Sequence, residues 1–145
     1  MSSIKKIVVF KIDNEDFAAD IMQVERILGF TEPTKVPEAP AFIKGVINYE
    51  DTILPIVDLK KRLGLKDTII KDDLKIIIVK HNERKIGLIV DVVSEVIDIE
   101  DSPEIVRGIS NKYLAGMIKL QNRIVILMNT EKILTKEEIK QLNSL

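Results

Sequence analysis

The chain contains no cysteine, no tryptophan and a single histidine, His81. Without cysteine there is no disulfide scaffold, no thiolate nucleophile and no thiolate metal site. One histidine excludes an all-histidine metal site and a cysteine–histidine dyad within one chain. Charge of one sign is also missing: 22 Lys and Arg stand against 23 Asp and Glu, a formal net charge of -1. Such a balance exerts no global attraction on nucleic acid or anionic lipid. No apolar run approaches a membrane span, and the start, MSSIKKIVVF, lacks the apolar core and cleavage site of a secretory signal. The expectation is a cytoplasmic protein with no direct membrane insertion. Neither G-x-x-x-x-G-K-[ST] nor G-x-G-x-x-G occurs, so no phosphate-binding fingerprint is present and no cofactor is expected.

What is abundant is aliphatic. Of 145 residues, 46% are apolar, with only four Phe and two Tyr among them. That suffices for one ordinary domain, or two small barrels sharing a core, without a metal or a disulfide. Isoleucine is conspicuous, and branching at Cβ suits strands.

Ile4 to Ile12 reads as a strand with Val8, Phe10 and Ile12 on one face and Ile7 and Val9 on the other. Asp13 to Glu15 form a polar break, and Phe17 to Ile21 return as the second strand of a hairpin. Ile21, Val24, Ile27 and Leu28 fall at helical spacing, compatible with a short helix or turn. The second half begins in the same way, with Leu74 to Val79, a break at His81 to Arg84, and a return at Ile86 to Val90. Val92, Val93, Val96 and Ile97 fit either strand or short helix.

A clearer echo follows. FIKGVINYEDTILPIVDLKKRL, Phe42 to Leu63, aligns without gaps on YLAGMIKLQNRIVILMNTEKIL, Tyr113 to Leu134, with five identities: Gly45 and Gly116, Ile47 and Ile118, Ile53 and Ile124, Lys61 and Lys132, Leu63 and Leu134. Two related supersecondary units are implied, each a strand, a polar turn, a strand and a short helix. Pro55, inside a return strand, marks a candidate edge. In TKEEIKQL, Thr135 and Glu138 have capping-box spacing, which predicts a terminal helix packing through Ile139 and Leu142. Connections fall at 29–41, with Pro33, Pro37 and Pro40, and at 98–112, with Pro103 and Gly108.

VPEAPAFIKGVINYEDTILPIVDL, Val36 to Leu59, resembles the most diagnostic stretch of the CheW family. FAADIMQVERI, GLIVDVVSEVI and YLAGMIKLQNRIVILMNTEKIL extend the likeness over roughly residues 4–142. The resemblance implies an all-β fold: two small SH3-like β-barrels packed together, with short helices and a C-terminal helix. It implies one CheW-like domain over 1–145 made of two intertwined subdomains, the second centred on roughly 66–112. By the same likeness the protein is a non-catalytic adaptor, recruited to membrane-associated receptor arrays. Its partners would be the cytoplasmic tip of chemoreceptors and the regulatory domain of the histidine kinase CheA.

Candidate contacts follow residue by residue. Gly45 occupies the position of the family's characteristic glycine, implicated in receptor contact, and glycine also permits a bulge or close backbone approach. Val24 matches a receptor-facing position, and with Ile27 it would line a groove for a partner helix. Arg26 stands where the family commonly has an acid, and Glu50 and Asp51 where it has arginine and glycine. Both charges are thus reversed, and the two side chains are expected to pair in the opposite orientation. Leu88 to Val90 and Met117 to Leu120 are expected to form an accessible strand edge facing the kinase, through Leu88, Val90, Met117 and Leu120. Asp58 and Asp91 are expected to cap the following turn or helix, and His81 to be a solvated turn residue. A divergent scaffold with other protein partners remains an alternative, as does a small barrel binding single-stranded nucleic acid. Against the latter, aromatics are scarce, and Lys60, Lys61, Lys71 and Lys75 are interspersed with Asp67, Asp72 and Asp73.

Overall fold

The computed structural model describes residues 6–65, 73–81, 83–99, 105–106, 113–120 and 122–143. Expectations placed on Asp67, Lys71, Asp72, Pro103 and Gly108 lie outside these residues. In chain order the strands are β1 Lys6–Ile12, β2 Glu15–Asp20, β3 Val24–Gly29, β4 Ile43–Tyr49 and β5 Thr52–Asp58. After helix α1, Leu59–Arg62, come β6 Lys75–His81, β7 Arg84–Val90, β8 Val92–Asp98 and the short β9 Ile105–Val106. β10 Leu114–Leu120, β11 Arg123–Met128 and helix α2 Lys136–Asn143 complete the chain. One-turn 3-10 helices occupy Ile21–Gln23 and Thr130–Lys132.

Two sheets result, ordered β8-β1-β2-β11-β10-β9 and β3-β6-β7-β5-β4, and they build the two small barrels of an all-β fold. The repeat runs through all of it. The hairpin β1–β2 recurs 69 residues later as β6–β7, with Ile12 paired to Glu15 at one turn and His81 to Arg84 at the other. The hairpin β4–β5 recurs 71 residues later as β10–β11, and the register shifts at Gly45 in one and Gly116 in the other. Even the parallel ladders match, Ile56 on Gly87 in one sheet and Leu127 on Ala18 in the other. Position for position, each barrel takes its first hairpin from one repeat and its other main strands from the other repeat.

That exchange corrects the expected boundary. The second barrel is built from β3 to β7, Val24 to Val90, while the first gathers both ends of the chain, so no barrel is centred on 66–112. The physical reason is that β3 leaves its own hairpin to pair with β6, as β8 leaves its own to pair with β1. Ambiguous segments resolve with it: Ile21–Gln23 is a single 3-10 turn, and both Val24–Gly29 and Val92–Asp98 are strands.

Three cores follow from strand alternation. In β6, Ile76 and Ile78 point into the second barrel with Tyr49, Leu54 and Ile56, while Ile77 and Val79 point into the seam between barrels. In β1, Ile7 and Val9 fill the first barrel with Ala18, Ile118, Val125 and Leu127, while Phe10 and Ile12 join the same seam. Strands buried on both faces read as continuous apolar runs, which is why β1 and β6 are so rich in Val and Ile. Each fully buried aliphatic side chain contributes about 1.5–3 kcal/mol relative to exposure. α2 seals the seam through Leu142 and Ile139, and its capping box forms as the spacing predicts: Glu138 N–H donates to Thr135 Oγ1 at 3.1 Å, and Thr135 N–H donates to Glu138 at 2.8 Å.

Pro55 is buried, and the ladder from β5 to β7 begins at the next residue, Ile56, so no free edge is centred there. His81 is not a solvated turn residue either. It is the last residue of β6, 0% exposed, at the position where the first repeat has Ile12. Its Nε2 accepts the Leu134 N–H at 3.4 Å. The corresponding Leu63 N–H is bonded within α1 to Leu59, a bond the shorter 3-10 turn of the second repeat does not supply.

A candidate protein-interaction surface

β3 ends its sheet, so one side of its backbone is unpaired among the described strands. Its side chains meet the β4–β5 turn. Arg26 and Glu50 pair at 3.7 Å, with both side chains more than half exposed, so the reversed ion pair expected from the sequence is formed. Glu50 and Asp51 adopt φ of +48° and +61°, left-handed at both central residues of a two-residue hairpin turn. Type I′ turns require this conformation, and Asp tolerates it without the glycine expected there. Thr52 Oγ1 donates to the Tyr49 carbonyl at 2.7 Å and ties the turn down.

Beneath the pair lies a second layer. The Tyr49 hydroxyl donates to Glu25 at 3.1 Å, and Lys85 holds the other Glu25 oxygen at 2.9 Å. Arg26 lies 5.6 Å from the centre of the Tyr49 ring, within cation–π range. The bond from Lys85 holds the Glu25 carboxyl below its usual value, more than desolvation raises it. Burial, then the bond to Glu25, push the Tyr49 phenol up. On the elements that carry this network, Ile53 is 74% exposed and Ile27 is 42% exposed, and Met22, on the preceding 3-10 turn, is 72% exposed. Aliphatic groups rimmed by paired charges are the composition of a protein-binding patch. Glu25, Tyr49 and Lys85 were not singled out in the sequence. The available signal was a tyrosine directly preceding the I′ turn.

Val24 is half-buried and packs against the seam core. Gly45 is buried with φ of +155°, and a Cβ there would lie 2.4 Å from the Thr34 carbonyl oxygen and 2.9 Å from Pro33 Cβ. Thr34 and Val46 exchange both backbone hydrogen bonds at 2.9 Å across that approach. The glycine is therefore required by the fold.

The second expected edge does not exist as such. Leu88 and Val90 are 0% and 1% exposed in the seam core, because β7 lies between β6 and β5. Met117 pairs with Val106 of β9 and is half-buried, and Leu120 packs on the core of the first barrel. For Leu88 and Val90, apolar character marked burial rather than contact. Among its described residues the second repeat exposes Val92, Val96 and Ile124, the last two being the counterparts of Ile27 and Ile53.

Asp58 accepts the Lys61 N–H and caps α1 as expected. Asp91 acts across the seam instead: it accepts the Asp13 N–H at 2.8 Å, and Lys60 reaches Asp13 at 3.1 Å and Asp91 at 3.6 Å. Burial alone would pull the Lys60 ammonium down, but the two carboxylates outweigh it and hold it above its usual value. Among the described residues no group of three or more His, Cys, Asp or Glu is placed to hold a metal, and no helix is long and apolar enough to cross a membrane.

Residues 6–138 match the model of the CheW-like domain family. The chain is 33% identical over 138 residues to the chemotaxis protein CheW of Bacillus subtilis (strain 168), covering 92% of this chain and 88% of that protein. It is 32% identical over 139 residues to the CheW of Rhizobium meliloti (strain 1021), covering 92% and 90%. The crystal structure of the scaffolding protein TtCheW from Thermoanaerobacter tengcongensis superposes with a TM-score of 0.83 at 35% identity, covering 90% of this chain and 92% of that one.

Proposed function

This chain belongs to the CheW-like domain family of chemotaxis scaffolding proteins, and on that premise we propose that it is a non-catalytic adaptor coupling chemoreceptors to the histidine kinase CheA. The supporting observation is the surface of β3 and the β4–β5 hairpin, which exposes Ile27 and Ile53 and carries the Arg26–Glu50 pair. In this reading the cytoplasmic tip of a receptor lays an apolar helix stripe along Ile27, with Val24 behind it. The regulatory domain of CheA meets the corresponding surface of the other barrel, at the exposed Ile124 and Val96. The adaptor itself stays in the cytoplasm and is drawn to the membrane by its receptors. Because both charges are reversed relative to the family pattern, the partners carry compensating charges. A partner built to meet arginine would instead face a carboxylate, at a cost of several kcal/mol if the contact is dry.

Isothermal titration against the CheA regulatory domain of the same organism tests this. A saturable one-to-one complex is expected. Absence of binding at about 100 μM, with both proteins shown to be folded, overturns the kinase-coupling reading. Weak binding to single-stranded DNA that vanishes with salt would favour the nucleic-acid alternative.

A further inference from the structure

Arg62, the last residue of α1, makes four contacts that no neighbouring charge duplicates. Its guanidinium carbon lies 3.8 Å from the centre of the Phe42 ring and 5.0 Å from that of Tyr113. Its Nε donates to the Ile133 carbonyl at 2.8 Å, and its Nη2 binds Glu138 of α2. The side chain is only 10% exposed. Phe42 and Tyr113 head the two copies of the repeat, and residue 133 is the counterpart of residue 62 itself. A side chain that touches a pair of counterparts, and also its own counterpart, lies where the two halves of the molecule meet. Elsewhere the seam is largely apolar, with polar contacts at His81, which accepts the Leu134 N–H, and at Lys60, which reaches Asp13 of the β1–β2 turn and Asp91.

We propose that Arg62 is the positioning residue that fixes the angle between the two barrels, and that receptor control of the kinase passes through that fixed angle. The second half rests on the adaptor reading; the first does not. A planar guanidinium can lie against two rings while its edge donates to a carbonyl and a carboxylate, and an ammonium cannot reproduce that set of contacts. The greasy seam by itself is non-directional and resists separation better than it resists rotation. Arg62 supplies direction: one ring from the head of each repeat, one carbonyl, and the helix that closes the seam. Partners bound to different barrels would then sense one another only while this joint holds.

The test uses the full chain with R62M, which keeps the stem, and R62K, which keeps the charge. Residual dipolar couplings of wild type are expected to fit one rigid body. For R62M, each barrel is expected to fit well alone but not jointly, with R62K between. In parallel, titration of a receptor-tip fragment and of the CheA regulatory domain should give affinities within about twofold of wild type, because Arg62 lies away from the exposed patch. Receptor control of CheA activity in reconstituted assemblies should fall about fivefold or more. A single rigid-body fit for R62M overturns the joint. A broken joint with full receptor control overturns its role in coupling. Should wild type bind neither partner, the adaptor reading fails, and the dipolar couplings still decide the joint. If R62M does not fold, the pair F42L/Y113L, which keeps Arg62 but removes both rings, gives the same readouts.

Discussion

Replacing Gly45 with alanine separates a glycine needed by the fold from one needed by a partner. The new Cβ would sit 2.4 Å from Thr34 O and 2.9 Å from both Thr34 C and Pro33 Cβ, at φ of +155°. Backbone cannot yield there as a side chain end could, so the segment carrying Thr34 must move off β4. Two hydrogen bonds between Thr34 and Val46, both 2.9 Å, go with it. Strain at a position of disallowed φ costs about 1–3 kcal/mol, and two lost hydrogen bonds add about 1–3 kcal/mol. The expected loss is thus roughly 2–6 kcal/mol, a large share of a typical domain's stability. At about 2–4 °C per kcal/mol for a chain of this size, G45A should melt about 8–16 °C below wild type for a mid-range loss. G64A is the control: Gly64 has φ of +73° but nothing within 4 Å of the added Cβ, so it carries the strain without the clash. Calorimetry of the three proteins measures both. Melting of G45A within about 2 °C of wild type, with partner binding lost, would refute the steric argument and make the glycine a contact residue.

Three further expectations concern charge. Burial holds His81 below its ordinary value near 6.5, so between the folded and unfolded values the unfolded chain binds more protons. Denaturant midpoints should be level above about pH 6.5 and decline below it, and H81Q, which keeps an acceptor for the Leu134 N–H, should flatten that decline. Glu138 acts at lower pH: burial raises it, but the Thr135 N–H and Arg62 outweigh burial and hold it below 4.5, so its contribution is present above that value and lost as pH falls through the folded one. At the exposed patch, E50R should weaken binding to the array partner about tenfold, while its effect on stability stays within the roughly 0.2–1 kcal/mol of a solvated pair. R26E/E50R should regain part of the binding; equal losses in the single and double variants would show that the two residues do not act as a pair.

Periodicity and punctuation determined much of this protein directly. Apolar runs broken by short polar turns specified strands, Thr135 and Glu138 announced α2, and five identities between residues 42–63 and 113–134 announced a repeat that the structure reproduces down to the bulge at each glycine. The Arg26–Glu50 pair was also legible, as opposite charges at two positions where the resemblance implies the reverse order. These are local signals, or comparisons of one residue with another of known role.

Tertiary structure alone decided which strand meets which. A strand pattern records that two faces are covered but not by what, so the exchange of hairpins between repeats left no mark in the sequence. The same blindness misplaced Leu88 and Val90, whose apolar side chains satisfy an interior as readily as an interface, and His81, whose polar neighbours at the turn concealed a seat at the seam. Arg62 shows the limit most plainly. In sequence it is one cation in a run of three, and only when Phe42, Tyr113, Ile133 and Glu138 converge from distant parts of the chain does desolvation turn that charge into a directional joint.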